Sequence, residues 1–129
     1  MTEIIKSFQE KSDLLSGKGV SEELIENAEN ILGLKFADEY KEYLLHFGVV
    51  AFDGHELTGI SSIDRLDVIK VTLNELQKNA MVPTKMYVIE VANIDGIIIW
   101  QSSEGDIYET IMDTKPIKIC DSISEYINL

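Results

Sequence analysis

The first half of the chain carries apolar residues at the three- and four-residue spacing typical of amphipathic helices. The pattern predicts a first helix from about Glu3 to Leu15, with Thr2 as its N-cap and with Gly17 and Gly19 ending it. Its predicted apolar side consists of Ile4, Ile5, Phe8 and Leu15.

Ser21 is predicted to cap a second helix, because its hydroxyl can accept a backbone hydrogen bond from the first turn. Val20 and Ile25 have the spacing of a hydrophobic staple, and Gly33 can adopt the positive φ of a helix end. The predicted apolar stripe of this helix is Leu24, Ala28, Ile31 and Leu32.

Two further helices are predicted in the centre of the chain. One begins at an Asp38 cap and ends at Gly48, and the other follows Ser62 and closes before Pro83. The apolar face of the third helix is predicted to be Tyr40, Tyr43, Leu44 and Phe47, and that of the fourth Leu66, Ile69, Leu73 and Leu76.

The other segments have the short apolar and β-branched runs of strands, separated by turn residues. A hairpin is predicted around Asp53-Gly54, and a terminal helix begins at Asp121 or Ser122 and runs through Tyr126. The order of elements predicts one α+β domain over residues 1–129, with N-terminal helices packed on a mainly antiparallel sheet and a short C-terminal helix. The predicted strands are residues 49–52, 56–59, 86–92, 97–101, 107–111 and 117–120.

The composition indicates a cytoplasmic globular protein. The chain is 129 residues long and 45% hydrophobic, and its one cysteine, Cys120, cannot form an intrachain disulfide. The apolar run from Ile97 to Trp100 is far too short to cross a bilayer, and acids within the first residues argue against a signal peptide.

The charge favours a basic protein partner. The formal net charge is −12, so repulsion from phosphate disfavours nucleic acid and anionic membranes as direct ligands. The other interpretation of the acidic charge is that it only keeps the protein soluble. Residues 86–129 contribute −6 and residues 1–60 contribute −7, whereas residues 61–85 contribute +1.

No residue constellation predicts catalysis, a cofactor or a metal. Asp53, His55 and Glu56 lack a known ligand spacing, and His46 is predicted at the margin of the core. Cys120 is predicted to be a buried, inert thiol.

Other candidate chemistry is equally weak. Glycoside hydrolysis would need a pair of carboxylates, one of them in an apolar pocket that raises its pKa. Asp95, Glu104 and Asp106 lie in predicted turns, and the sequence indicates no such pocket around them. Trp100 is predicted to be a core residue rather than a ligand platform.

Three sets of residues occur in order along the chain: Val20 through Ile25 with Glu29 and Leu32-Gly33-Leu34; Phe36, Tyr40, Tyr43-Leu44 and Gly48; and Trp100, Gly105, Tyr108, Pro116, Ile119, Ser122 and Glu125-Tyr126-Ile127. Together they resemble the SUKH superfamily over about residues 20–129. Ala37 stands where the family often has proline, and Gly48-Val49 stands where it often has Asn-Gly, which leaves the subfamily open.

The resemblance implies an immunity protein that binds and blocks a cognate toxin, often a nuclease with a basic site. The rival interpretation is a regulatory protein–protein module, as in fungal relatives that control cell-wall synthesis. An enzyme acting on small substrates is a distant third. An acidic inhibitor can mimic phosphate and associate quickly with a basic site. The acids expected to meet the partner are Asp53, Glu56, Asp95, Glu104, Asp106 and Glu109, with the helical acids Glu22, Glu23, Glu26 and Glu29 as the alternative.

Overall fold

The computed structural model describes residues 2–92 and 94–129. In those residues helices come first, strands dominate the second half, and a short helix ends the chain, so the predicted α+β class is confirmed. The helices are α1 Glu3–Gln9, α2 Glu22–Leu32, α3 Asp38–His46, α4 Val68–Lys78 and α5 Ile123–Tyr126, with a 3-10 turn at Asp64–Leu66. The strands are β1 Leu15–Ser16, β2 Val50–Phe52, β3 His55–Leu57, β4 Tyr87–Val91, β5 Ile97–Gln101, β6 Ile107–Ile111 and β7 Ile117–Cys120.

The strands form two antiparallel sheets, in the orders β1-β2-β3 and β4-β5-β6-β7. Asp53-Gly54 and Asp95-Gly96 turn two of the hairpins with positive φ at all four residues, as a type I′ turn requires. The backbone N–H of Thr58 donates to the carbonyl of Ile89 at 2.9 Å, which joins the small sheet to β4.

Each face of the four-stranded sheet buries its own cluster of apolar side chains. Successive residues of β4 alternate between them: Tyr87 and Ile89 pack with the side chains of α1, α3 and the β2–β3 hairpin, whereas Val88 packs with Val71 of α4. Trp100 lies in the second cluster with no exposed surface, and its indole N–H donates to Thr110 Oγ1 at 2.9 Å, so the prediction that it is a core residue is confirmed.

The first helix is shorter than predicted. α1 ends at Gln9, and Leu15 belongs to β1, where it pairs with Ala51 of β2. Pairing with a distant strand overrides the local helical spacing, and Leu15 points largely to solvent. Gly17 extends this pairing, because its N–H donates to the carbonyl of Val49 at 2.9 Å.

The buried face of α2 is rotated from the predicted stripe. Ser21 caps the helix by accepting from Leu24 N, and Gly33 ends it with φ 68°, both as predicted. Leu24 and Ile31, however, are about half exposed. The buried positions of α2 are Ile25, Ala28 and Glu29.

The predicted caps of α3 and α4 shift along the chain. Ala37 occupies the N-cap position of α3, so Asp38 is its first helical residue. Ser62 precedes the 3-10 turn, and Asp67 caps α4 by accepting from Lys70 N at 3.4 Å. Asp67 is the first residue after that turn whose carboxylate can reach the open backbone N–H groups.

Candidate partner-binding surfaces

The six acids predicted to meet a partner lie at four separate places. Asp53 and Glu56 belong to the β2–β3 hairpin. Asp95 lies in the β4–β5 turn, at the opposite end of the four-stranded sheet from Glu104 and Asp106 in the β5–β6 turn. Glu109 lies between these ends, within β6, and pairs with residues of both neighbouring strands.

The two hairpin acids differ, because the carboxylate of Glu56 is paired within the chain, whereas Asp53 is held through its backbone N–H and its side chain is exposed. The N–H of Asp53 donates to Asp13 Oδ2 at 2.7 Å, and Glu56 accepts from Arg65 Nη1 at 2.6 Å. Glu56 and Arg65 line a cleft of about 520 Å³ beside the start of α4, in which Lys70 pairs with Asp64 at 2.6 Å. Paired charges of both signs line this cleft, so it gives little net attraction for a basic partner.

The β5–β6 turn combines one free acid with one paired acid. Glu104 is exposed, whereas Asp106 lies 3.3 Å from Lys118, which also pairs with Asp121 at 2.8 Å. The hydrogen bonds to Asp121 and then to Asp106 raise the pKa of Lys118. Glu104 borders an apolar groove of about 550 Å³ whose other lining residues include Met81, Pro83, Lys85, Met86, Tyr108, Lys115 and Pro116.

The helical acids are not equivalent. Glu22, Glu23 and Glu26 are exposed on α2, whereas Glu29 is buried. The Glu29 carboxylate accepts the N–H of Phe36 at 2.8 Å. The expectation that Glu29 is available to a partner is therefore wrong, because this carboxylate holds the α2–α3 connection.

A buried carboxylate that belongs to none of the predicted sites organises the surroundings of the hairpin. Glu90 of β4 contacts His55 Nδ1 at 3.0 Å and accepts from the N–H of Glu56 at 3.2 Å and from the hydroxyl of Tyr126. Burial, followed by the hydrogen bond to Glu90, raises the pKa of Tyr126. The available signal was an isolated acid inside the otherwise apolar strand 86–92.

The metal interpretation of Asp53, His55 and Glu56 does not match this geometry. His55 faces Glu90, and Glu56 faces Arg65. Within residues 2–92 and 94–129, no group of three or more His, Cys, Asp or Glu side chains is arranged to hold a metal ion.

Cys120 and His46 lie where the sequence predicted. Cys120 is buried, and desolvation raises the pKa of its thiol, which keeps it in the unreactive protonated form. His46 is exposed at the end of α3 with its ring against Phe47. Among the described residues, no helix is long and apolar enough to span a membrane.

A solved structure shares this fold. The chain is similar to a crystal structure of a protein from Pseudomonas syringae pv. tomato, with a TM-score of 0.77 and 14% sequence identity. The alignment covers 99% of this chain and 96% of that one, and at this identity it shows the fold alone. No curated protein matches the chain.

The sequence itself matches one family. The family profile SUKH_6, described as SMI1-KNR4 cell-wall, covers residues 22–127, which extends from the first residue of α2 to the last turn of the chain. The chain therefore belongs to the SUKH_6 family of SMI1-KNR4 proteins, which confirms the SUKH resemblance of the three sets of residues and identifies the subfamily that they left open.

Proposed function

We propose that this protein is a cytoplasmic immunity protein that binds a cognate toxin domain, a nuclease with a basic active site, and blocks that site. The family match over residues 22–127 carries the proposal. The formal charge of −12 supports it, because a nuclease must attract phosphate and an acidic inhibitor is attracted to the same surface.

In this proposal residues 1–129 act as one domain that binds without catalysis or a cofactor. The contacts with the toxin come from some of the six acids Asp53, Glu56, Asp95, Glu104, Asp106 and Glu109. Charge complementarity of this kind mainly raises the association rate, and affinity depends on the contacts at the centre of the interface.

Co-expression tests the proposal directly. The C-terminal domain of a toxin encoded by the neighbouring gene is expressed in a bacterial host with and without this protein. We expect growth and intact nucleic acid only when both are present, and a stable complex between this protein and a catalytically inactive toxin domain. If the wild-type protein neither protects the host nor binds the inactive domain, the proposal is wrong.

The alternative is a regulatory interaction module, which the SMI1-KNR4 cell-wall description of the family favours. Such a module would bind a protein of the same cell without inhibiting a toxin. Absence of a toxin gene beside the coding sequence, together with a defect in cell-wall synthesis on deletion, would support this alternative over the immunity function.

A further inference from the structure

Four large apolar side chains are exposed at one end of the four-stranded sheet. Their exposed fractions are 63% for Ile94, 44% for Ile111, 72% for Met112 and 67% for Ile117. We call these four residues the apolar corner. Single exposed apolar residues are ordinary, but a group of them at one site indicates a surface that a partner covers.

The antiparallel topology places the four residues at the same end of the sheet, with Met112 on the α4 side, where it lines a cleft with Ile98 and Trp100. The β4–β5 and β6–β7 connections leave the sheet at the same end, where Ile97 pairs with Ile111 and Glu109 pairs with Ile117. Ile111 and Ile117 consequently project from the same face, as diagonal neighbours on adjacent strands. The N–H of Met112 donates to the carbonyl of Gly96 at 3.1 Å, which connects the two loops.

The loop after β6 is held in one conformation although it is exposed. The buried side chain of Asn79 donates to the carbonyls of Met112 at 3.2 Å and Thr114 at 2.9 Å. The Thr114 hydroxyl accepts from the N–H of Ile111 at 2.9 Å. A surface that is ordered before binding loses less conformational entropy when it meets a partner.

Met112 occupies a backbone conformation that does not favour methionine. Its φ is 56°, in the left-handed region where glycine or asparagine is the usual residue. The Met112 side chain is mostly exposed, so it gains little free energy from burial to offset the cost of this backbone conformation. Strain of this kind at an exposed side chain points to a role outside folding.

The charges around the apolar corner identify the class of partner. Asp95 and Asp113 lie in the two loops, Glu109 pairs with Ile117, and the loop base is Lys115. The ion pair of Glu75 and Lys78 in α4 lies beside Met112 and adds no net charge, so the local formal charge is −2. In contrast, Asp106 at the opposite end of the sheet is paired with Lys118. An apolar centre with an acidic border is complementary to a protein surface whose apolar side chain is surrounded by lysine and arginine.

We propose that the apolar corner is the centre of the interface with the basic toxin domain, with Asp95, Glu109 and Asp113 forming its acidic border. This inference rests on the proposed immunity function and selects, among the places where acids lie, the end of the sheet formed by the β4–β5 and β6–β7 loops. Ile117 and Met112 supply the apolar contacts that determine how slowly the complex dissociates.

Two substitutions test the apolar contacts without disturbing the fold. Met112→Gly removes the side chain at a φ that glycine readily adopts, and Ile117→Thr keeps a β-branched residue at an exposed position of β7. Ile63→Thr and Leu73→Ser are the matched controls, because both residues are about half exposed and lie outside the apolar corner. Binding to the inactive toxin domain is measured by surface plasmon resonance, and folding by chemical denaturation.

We expect the Met112→Gly/Ile117→Thr double variant to fold normally and to raise Kd about tenfold or more through faster dissociation. The control double variant should stay within about twofold of wild type. If wild type binds the toxin domain and the corner double variant binds equally well, the apolar corner is not the interface and the immunity function stands. If wild type does not bind the toxin domain, both proposals are wrong.

Discussion

The carboxylate of Glu39 in α3 accepts the backbone N–H of Ile123, the first residue of α5, at 2.6 Å. The same oxygen accepts from Gln101 Nε2 at 2.7 Å, and Gln101 in turn accepts from the hydroxyl of Tyr87 at 2.7 Å. This chain of hydrogen bonds connects a helix of the first half to two strands and to the start of the last helix. Glu39 is the one member of this hydrogen-bond chain that is ionised at neutral pH, and most of its side chain is shielded from solvent.

Glu39 should make stability depend on pH. Burial, the largest cause, raises the pKa of Glu39 above its ordinary value of 4.5, so the folded chain holds this proton more tightly than the unfolded chain. The cost of the buried charge is fully present above the folded pKa and is relieved as pH falls towards 4.5. We therefore expect Glu39→Gln to gain stability relative to wild type as pH rises from 4.5 towards neutrality.

Urea unfolding of wild type and Glu39→Gln at several pH values measures this effect. Glu23→Gln, which removes the same charge from an exposed position of α2, is the control and should leave the pH dependence unchanged. Parallel stability curves for wild type and Glu39→Gln across this range would contradict the assignment.

Trp100→Ala should cost about 3–5 kcal/mol of unfolding free energy, because it opens a cavity in the cluster between α4 and the sheet. The Thr110 hydroxyl, which accepts from the indole N–H at 2.9 Å, also loses its partner. Chemical denaturation measures the loss. A value below about 1 kcal/mol would indicate that the indole is accessible to solvent in solution.

Glu29 and Glu26 occupy the same helix but should respond differently to alanine. Glu29→Ala leaves the buried N–H of Phe36 without its acceptor and is expected to cost about 1–3 kcal/mol. Glu26→Ala changes an exposed side chain and should stay within about 0.5 kcal/mol of wild type. Equal losses in thermal or urea unfolding would mean that the α2–α3 connection does not depend on this hydrogen bond.

The absence of catalysis is a further prediction. Purified protein should leave RNA, DNA, nucleotides and glycans unchanged, with or without divalent metal. Because burial raises the pKa of Cys120, a thiol reagent at pH 7 should also react with it more slowly in the folded chain than in urea. Turnover that disappears in His55→Ala or Cys120→Ala would overturn this prediction.

Local pattern was sufficient for much of the fold. The strands at residues 97–101, 107–111 and 117–120 were predicted with the bounds that the structure gives, because turn residues separate short runs of β-branched residues. Ser21 and Gly33 were predicted as caps because capping depends on residues only a few positions apart, and Ser122 was one of two candidates with Asp121. The family resemblance added what no local pattern contains, and the family match confirms it.

The features that failed depend on distant partners. Leu15 has helical spacing, but its pairing with Ala51 places it in a strand. Glu39 is partly buried and Glu90 is buried, and their hydrogen-bond partners lie between 34 and 84 residues away in the sequence. No sequence spacing identifies such contacts. The sequence also did not indicate that Ile111 and Ile117 are exposed, because apolar residues in a strand ordinarily predict burial.

Two matched charge changes should distinguish the ends of the four-stranded sheet. Asp95→Asn/Asp113→Asn neutralises the border of the apolar corner, and Glu104→Gln/Asp106→Asn neutralises the β5–β6 turn. Each pair changes the formal net charge from −12 to −10. Asparagine suits the positive φ of Asp95, and Lys118 keeps Asp121 as its partner when Asp106 changes, so both variants should fold normally.

Because both pairs weaken the overall field equally, both should slow association with the toxin domain at low salt. We expect Asp95→Asn/Asp113→Asn to slow association several-fold more than Glu104→Gln/Asp106→Asn does. It should also reduce the salt dependence of the association rate further, because the acids of the apolar corner lie next to the basic groups of the toxin domain in the encounter complex. Stopped-flow association at two or more salt concentrations measures both effects. A larger effect from Glu104→Gln/Asp106→Asn would place the interface at the β5–β6 turn, where Glu104 borders the groove of Met81, Met86 and Tyr108.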